Sequence, residues 1–221
     1  MNRKFLPISL ALMILLIAGQ AAAFSFSNGE KGSGDMETRQ LSLDEFRAID
    51  VGGAFDIDVS FGKEQKVEVT IDDNLWDIFE AKVKGEWLNL DWGRSCSPSN
   101  ECRIKIVVRT LEEVSIHGAC DLDISDFDGH EFTYRLSGAG DLEMDGEVDN
   151  LEIKISGAGE ADTRDLRAKN VKVSISGAGN AKVYAEDSIR GRVSGVGNLT
   201  YYGDPHENDT RVSGLGNIRK K

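Results

Sequence analysis

Along much of the chain, apolar residues fall on every second position. Phe132, Tyr134 and Leu136 alternate with Thr133 and Arg135, and Leu151, Ile153 and Ile155 alternate with Glu152 and Lys154. Val171, Val173 and Ile175 alternate with Lys172 and Ser174, and Ile189 and Val193 flank Gly191 with Arg190 and Arg192 between. A period of two, rich in β-branched residues, predicts strands with one face buried and the other wet. A second, shorter alternation recurs at Asp121-Leu122-Asp123-Ile124 and Asp141-Leu142-Glu143-Met144, followed by turns such as Asp128-Gly129 and Asp145-Gly146. Nearer the N-terminus the pattern continues at Val67, Val69 and Ile71, at Leu88, Leu90 and Trp92, and at Ile104, Ile106 and Val108, with one helical turn expected between Asp72 and Glu80.

A glycine motif separates the two alternations. Ser137-Gly-Ala-Gly140, Ser156-Gly-Ala-Gly159, Ser176-Gly-Ala-Gly179, Ser194-Gly-Val-Gly197 and Ser213-Gly-Leu-Gly216 recur at spacings of 19, 20, 18 and 19 residues. His117-Gly-Ala-Cys120 lies 20 residues before the first. Gly52-Gly-Ala-Phe-Asp-Ile-Asp-Val59 echoes His117-Gly-Ala-Cys-Asp-Leu-Asp-Ile124 across a gap of 65 residues, room for about three degenerate repeats. A unit this short cannot bury its apolar face alone, so neighbouring units must stack. Stacked at about 4.8 Å, equivalent Val and Ile residues form columns and each backbone group pairs with the coils above and below. The expected fold is therefore all-β: a single-stranded parallel β-helix, right-handed as such crossovers are, with a less regular N-terminal cap. The glycines suit sharp corners and close backbone approach. An antiparallel sandwich of successive hairpins is the alternative, but glycines recurring in register at one corner favour the coil.

Composition sets the surroundings. The 221 residues are 40% hydrophobic and 29% charged with a mean hydropathy of −0.32, which excludes a polytopic membrane protein. Lys and Arg total 26 against 38 Asp and Glu, and the resulting net charge of −12 argues against a nucleic-acid partner. Residues 1–23 carry Arg3 and Lys4, an apolar run from Phe5 to Ala18 and a closing Ala21-Ala22-Ala23, the layout of a secretory signal peptide. The alternative, a membrane-anchoring helix, needs roughly 20 apolar residues. No integral membrane segment is expected once the leader is removed, and the expected destination is the periplasm, the cell surface or the exterior. Residues 24–40 read as a flexible leader, 41–110 as the irregular β cap and 111–221 as the repeat β-helix.

These motifs carry a family resemblance. The Ser-Gly-Ala-Gly series, the variants Gly197-Asn198-Leu199 and Gly216-Asn217-Ile218, the closing Tyr201-Tyr202-Gly203-Asp204-Pro205 and the earlier Phe46-Arg-Ala-Ile-Asp-Val-Gly-Gly53 resemble the head-GIN-domain family of autotransporter-adhesin type, over residues 41–218. The resemblance implies a secreted or envelope β-helical protein and no particular reaction. One departure is that autotransporters carry a C-terminal membrane barrel, whereas this sequence stops at Lys221.

Candidate chemistry is sparse. Cys96 and Cys102 occupy a turn-rich segment in a chain bound for an oxidising compartment, so a short-loop disulfide is expected, with Cys120 a buried small side chain. His117, His130 and His206 lack metal-ligand spacing, and none reads as catalytic. The motif serines recur as a column, which suggests hydroxyls bonded to corner backbone. Trp76, Trp87 and Trp92 offer either a sugar-stacking platform or the closing rings of a cap, and the cap is preferred. The residue after each motif is Asp56, Asp121, Asp141, Glu160, Asn180, Asn198 or Asn217, which predicts a ladder of carboxylates and then amides. Stacked carboxylates repel, so Asp121 with Asp123, Asp126 and Asp128 is the candidate site for a calcium ion. No other cofactor is indicated.

A coil of this length encloses only its own side chains, so function belongs on an outer face. The expectation is a non-enzymatic, adhesin-like module for a surface or envelope ligand, a carbohydrate or a protein. The alternatives are a carbohydrate-active enzyme with an outer groove, which needs converging carboxylates beside aromatics, and a purely structural envelope protein.

Overall fold

The computed structural model describes residues 29–221, so the signal peptide expected over 1–23 lies outside the described residues. The strands in chain order are β1 (Glu30–Lys31), β2 (Met36–Leu41), β3 (Ala48–Val51), β4 (Ala54–Phe61), β5 (Lys66–Asp72), β6 (Phe79–Lys84), β7 (Trp87–Trp92), β8 (Cys96–Ser97) and β9 (Arg103–Val108). They continue as β10 (Glu113–Ile116), β11 (Ala119–Leu136), β12 (Leu142–Ile155), β13 (Ala158–Ile175), β14 (Ala178–Val193), β15 (Asn198–Tyr202), β16 (Glu207–Val212) and β17 (Asn217–Lys220). A three-residue 3-10 turn, Asp73–Leu75, falls where one helical turn was expected. Strands β10 to β17 pair in parallel with the next coil, giving a β-solenoid of about 5 turns.

Register turns the alternation into columns. Phe132, Leu151, Val171 and Ile189 align, as do Tyr134, Ile153, Val173 and Gly191, and then Leu136, Ile155, Ile175 and Val193. Except for Gly191, these residues are at most 3% exposed, so the interior is filled by the coils' own side chains. Where Gly191 interrupts its column, Leu199 reaches into the vacated space, because a Cβ there would meet its Cδ2 at 2.6 Å. Tyr134 is the one large polar-tipped side chain in these columns, fully buried, and its hydroxyl has no hydrogen-bond partner. Burial, with Cys120 nearby, raises its pKa. An orphaned buried hydroxyl is costly, so Tyr134→Phe is expected to stabilise the protein by about 1 kcal/mol in urea unfolding. A loss of stability would mean that the hydroxyl has a partner.

Corners are made in two ways. At the motif corner, coils approach so closely that a Cβ on Gly138 would overlap the carbonyl oxygen of Gly118, and one on Gly157 that of Gly138. The amides of Ala139, Ala158 and Ala178 donate to Gly118, Gly138 and Gly157 at 2.9, 3.0 and 3.0 Å. Here glycine is required by backbone contact with the coil below. The second corner is a break in register between Ile124 and Phe127, where Asp126 has φ 58° and its amide donates to Asp145 Oδ2 at 3.1 Å.

The N-terminal part corrects two expectations. The echo at Gly52 is the coil directly below His117, not three coils away: Ala54, Phe55 and Asp56 align with Ala119, Cys120 and Asp121. The intervening chain leaves the coil and returns beneath it as a cap, with β9 under β4 and β7 under β3. Antiparallel strands finish this end, β5 against β9, β2 against β5 and β6 against β7. Solenoid coils thus begin before residue 111.

The flexible leader expected over 24–40 is, from residue 29, built into this cap. β1 pairs with β8, and the fully buried carboxylate of Asp72 accepts the amides of Gly34 at 2.7 Å and Ser99 at 2.9 Å. Buried oxygens demand such donors, and only distant chain supplies them. Phe55 stacks on Trp92 at 5.3 Å between centroids, and Phe79 meets Trp92 and Trp76 edge-on. Two of the three tryptophans therefore close the core, as the cap reading requires. Cys96 and Cys102, the expected disulfide pair, stand as free thiols in the structure, Cys96 half-buried and Cys102 buried. Burial pushes the Cys102 thiol up to about 12 and raises Cys96 as well. Cys120 is buried, as expected.

Candidate functional site

With the interior filled, the outward columns are the available chemistry. The residue after each motif forms one continuous column: Asp56, Asp121, Asp141, Glu160, Asn180, Asn198 and Asn217 lie on successive coils. Asp121 Oδ1 accepts the Asp141 amide at 3.2 Å, Asp141 Oδ1 accepts the Glu160 amide at 2.7 Å, and Asn180 Oδ1 accepts the Asn198 amide at 3.1 Å. Each such side chain clamps the following coil. Asn198 Nδ2 also donates to Asn180 Oδ1 at 2.9 Å, the amide contact expected of stacked Asn. Repulsion among the carboxylates shows at Asp56, whose pKa is raised by desolvation and then by Asp58, against the pull of Arg103.

Two residues on, a second column runs through Asp58, Asp123, Glu143, Asp162 and Lys182. Asp162 is held to about 2, below its ordinary 3.8, by hydrogen bonds from Arg164 and then Lys182 that outweigh its burial. A depressed carboxylate stabilises the fold above its unfolded pKa and loses that contribution as pH falls through the folded value. Asp162→Asn is therefore expected to cost clearly more stability at pH 6 than near pH 2, measured by urea unfolding at both. An equal deficit at both would contradict the pairing.

The four acids assigned to calcium do not converge. Asp121 lines a hollow of about 510 Å³ with Phe55, Pro98 and Glu101, while Asp123 lines another with Glu143 and Asp145. Asp128 faces the groove of His130. Asp121 and Asp123 share the outward face of β11 two residues apart, about 6.6 Å along the strand, and the left-handed turn at Asp126 swings the chain onto the next face before Asp128. Among the described residues no group of three or more His, Cys, Asp or Glu side chains is placed to hold a metal ion.

Two grooves that the sequence reading missed run across consecutive coils beyond the second corner. The larger, about 740 Å³, is lined by His130, Asp149, Lys169, Arg167 and Glu186 among others. Asp149 joins His130 at 2.8 Å and Lys169 at 2.6 Å, which lowers its pKa and raises both of theirs. Arg167 bonds Glu186 at 2.8 Å and lies over the Tyr184 ring at 5.3 Å. Its neighbour, about 530 Å³, carries Glu131, Glu152, Glu207 and Asp209. A glycosidase acid needs a raised carboxyl, yet Asp149, Glu152 and Asp209 are all held low by paired cations.

One constellation resembles a nucleophile triad. His117 Nδ1 lies 2.8 Å from Ser137 Oγ, and its Nε2 lies 3.2 Å from Ser115 Oγ and 3.7 Å from Asp50. The Ser137 hydroxyl, however, also lies 3.3 Å from the Ile116 carbonyl, to which it can donate as Ser156 does to Leu136. The Ser137 hydroxyl therefore has two acceptors within reach, the Ile116 carbonyl and His117 Nδ1, and the imidazole tautomer sets which of them takes its proton.

A family model described as "Putative auto-transporter adhesin, head GIN domain" matches residues 45–205. The chain belongs to the head GIN domain family. Two solved structures are similar to this head GIN protein. A crystal structure titled a putative adhesin, from Bacteroides fragilis, superposes with a TM-score of 0.71 at 22% identity, covering 87% of this chain and 100% of its own. Another so titled, from Parabacteroides merdae, gives 0.51 at 20% identity, covering 88% and 99%. At these identities the likeness establishes the shared fold. No curated protein matches the chain. Among the described residues no helix is long and apolar enough to cross a membrane.

Proposed function

We propose that this head GIN protein is an exported, non-enzymatic adhesin-like module that meets its ligand on the outer faces of its solenoid. The observation that carries the reading is the filled interior: among the described residues the inward columns of successive coils are buried and occupied by the coils' own side chains. The grooves instead lie open over successive coils, suited to an extended ligand read along the stack. The family's adhesin description supports binding over catalysis, and the leader pattern of residues 1–23 supports export. The test is to present the protein to a panel of polysaccharides and surface proteins, following both retention and products. Saturable retention with no change in the bound polymer is expected. New reducing ends or unsaturated sugars would overturn the reading in favour of an enzyme.

A further inference from the structure

One hollow differs in kind from the rest. Beside the motif corner, a recess of about 300 Å³ is lined by His117, Arg135, Lys154 and the hydroxyls of Ser137, Ser156 and Ser176, together with Ser115 and Ser174. No Asp or Glu lines it, in a chain of net charge −12, whereas the four hollows described above each carry at least three carboxylates. Arg135 and Lys154 occupy the same column on adjacent coils, about 4.8 Å apart along the stack. Each is tied to a neighbouring acid, Arg135 NH1 to Glu113 at 2.8 Å and Lys154 to Glu152 at 3.0 Å. Those ties leave most of the guanidinium and ammonium donors uncommitted. Asp50 approaches only the Nε2 side of His117 and does not line the recess.

The serines complete the chemistry. Ser156 gives its proton to the Leu136 carbonyl and Ser137 can do the same to Ile116, and each hydroxyl oxygen keeps a lone pair for a ligand donor. Adjacent cations and a row of acceptors together match a group with an oxyanion and hydroxyl donors side by side. We propose that this recess is a subsite for an acidic sugar, with the carboxylate or sulfate bridged by Arg135 and Lys154 and the sugar hydroxyls donating to Ser137 and Ser156. The proposal rests on the outer-face binding reading and names a ligand class for it.

Full-length protein titrated with a galacturonate hexamer, a heparin-derived hexasaccharide and uncharged maltohexaose tests this by calorimetry and by ¹H–¹⁵N shift mapping. At least one acidic oligosaccharide is expected to bind, more weakly as salt is raised, with shifts centred on His117, Ser137 and Ser156. Carboxylate and sulfate arms tell the two sources of the anion apart. The double change Arg135→Gln with Lys154→Gln is expected to weaken binding about tenfold or more, while Lys105→Gln, exposed on β9 of the cap and away from the grooves, leaves it unchanged. Unfolding curves confirm that each variant is folded, and the shift map locates the site without any variant. Equal binding of maltohexaose, absence of binding by both acidic oligosaccharides, or shifts centred elsewhere would overturn the subsite. If the wider panel still showed retention that the double variant did not alter, the subsite would fall while the binding-module reading stood.

Discussion

Gly157→Val is expected to abolish the cooperative thermal transition of the native protein, or to lower its midpoint by more than about 10 °C. The new Cβ would overlap the backbone carbonyl of Gly138, an atom fixed on its own coil, and the Ala158 amide that bonds the same carbonyl at 3.0 Å would be displaced. No rotamer relieves a clash between two backbones, so the cost exceeds ordinary overpacking and reaches about 4 kcal/mol or more. The adjacent Ala158 supplies the control. It is exposed, and its column already holds Val196 and Leu215, 61% and 87% exposed. Ala158→Val should melt within about a degree of the parent, and circular dichroism melts of the two variants decide the matter. A folded, parent-like Gly157→Val would show that the coils do not touch at this corner.

Ile153→Ala carries the second largest effect. Ile153 is fully buried between Tyr134 and Val173, on coils locked to each other by backbone hydrogen bonds. A core that cannot close around a deletion retains the cavity, which places the cost toward the upper part of the roughly 2–5 kcal/mol range for such truncations. The midpoint should fall by about 10 °C. Lys172→Ala, on an outward position of the next coil, should change stability by less than about 0.5 kcal/mol. Equal effects at the two positions, measured by urea unfolding, would mean that the inner and outer columns are not distinct.

Both effects follow from features legible in the chain. Strict alternation told inner from outer residues, and the recurrent Gly-x-Gly placed the corner. The residue after each motif proved to be the ladder, with Asp121, Asp141 and Asn180 bonding the next coil's amide. What the chain concealed depends on contacts between distant segments. The Gly52 coil pairs with the His117 coil because the 65 residues between them fold away as a cap, and spacing alone cannot distinguish such an excursion from intervening coils. The leader's place is set by Asp72 and Ser99, far along the chain.

Site chemistry was less legible for a related reason. Asp121, Asp123, Asp126 and Asp128 are neighbours in sequence, yet the corner between Ile124 and Phe127 carries Asp128 onto a different face from Asp121 and Asp123. Conversely His130, Asp149 and Lys169, or Arg135 and Lys154, meet only because residues about one coil apart align. Scanning for charges at the repeat spacing would have found those pairs, whereas scanning for local clusters found the acids.

The central claim, that equivalent positions stack coil upon coil, is tested most directly by distances along the exposed Ala column. Spin labels placed pairwise at Ala139 and Leu215, Ala119 and Leu215, and Ala54 and Leu215 span four, five and six coil steps. Pulsed electron–electron resonance is expected to return about 19, 24 and 29 Å, rising by one inter-strand spacing of about 4.8 Å per coil, although the last two pairs differ by 65 residues of chain. Distances that instead jump by the length of three coils between the last two pairs, or fail to rise in order, would contradict the stack.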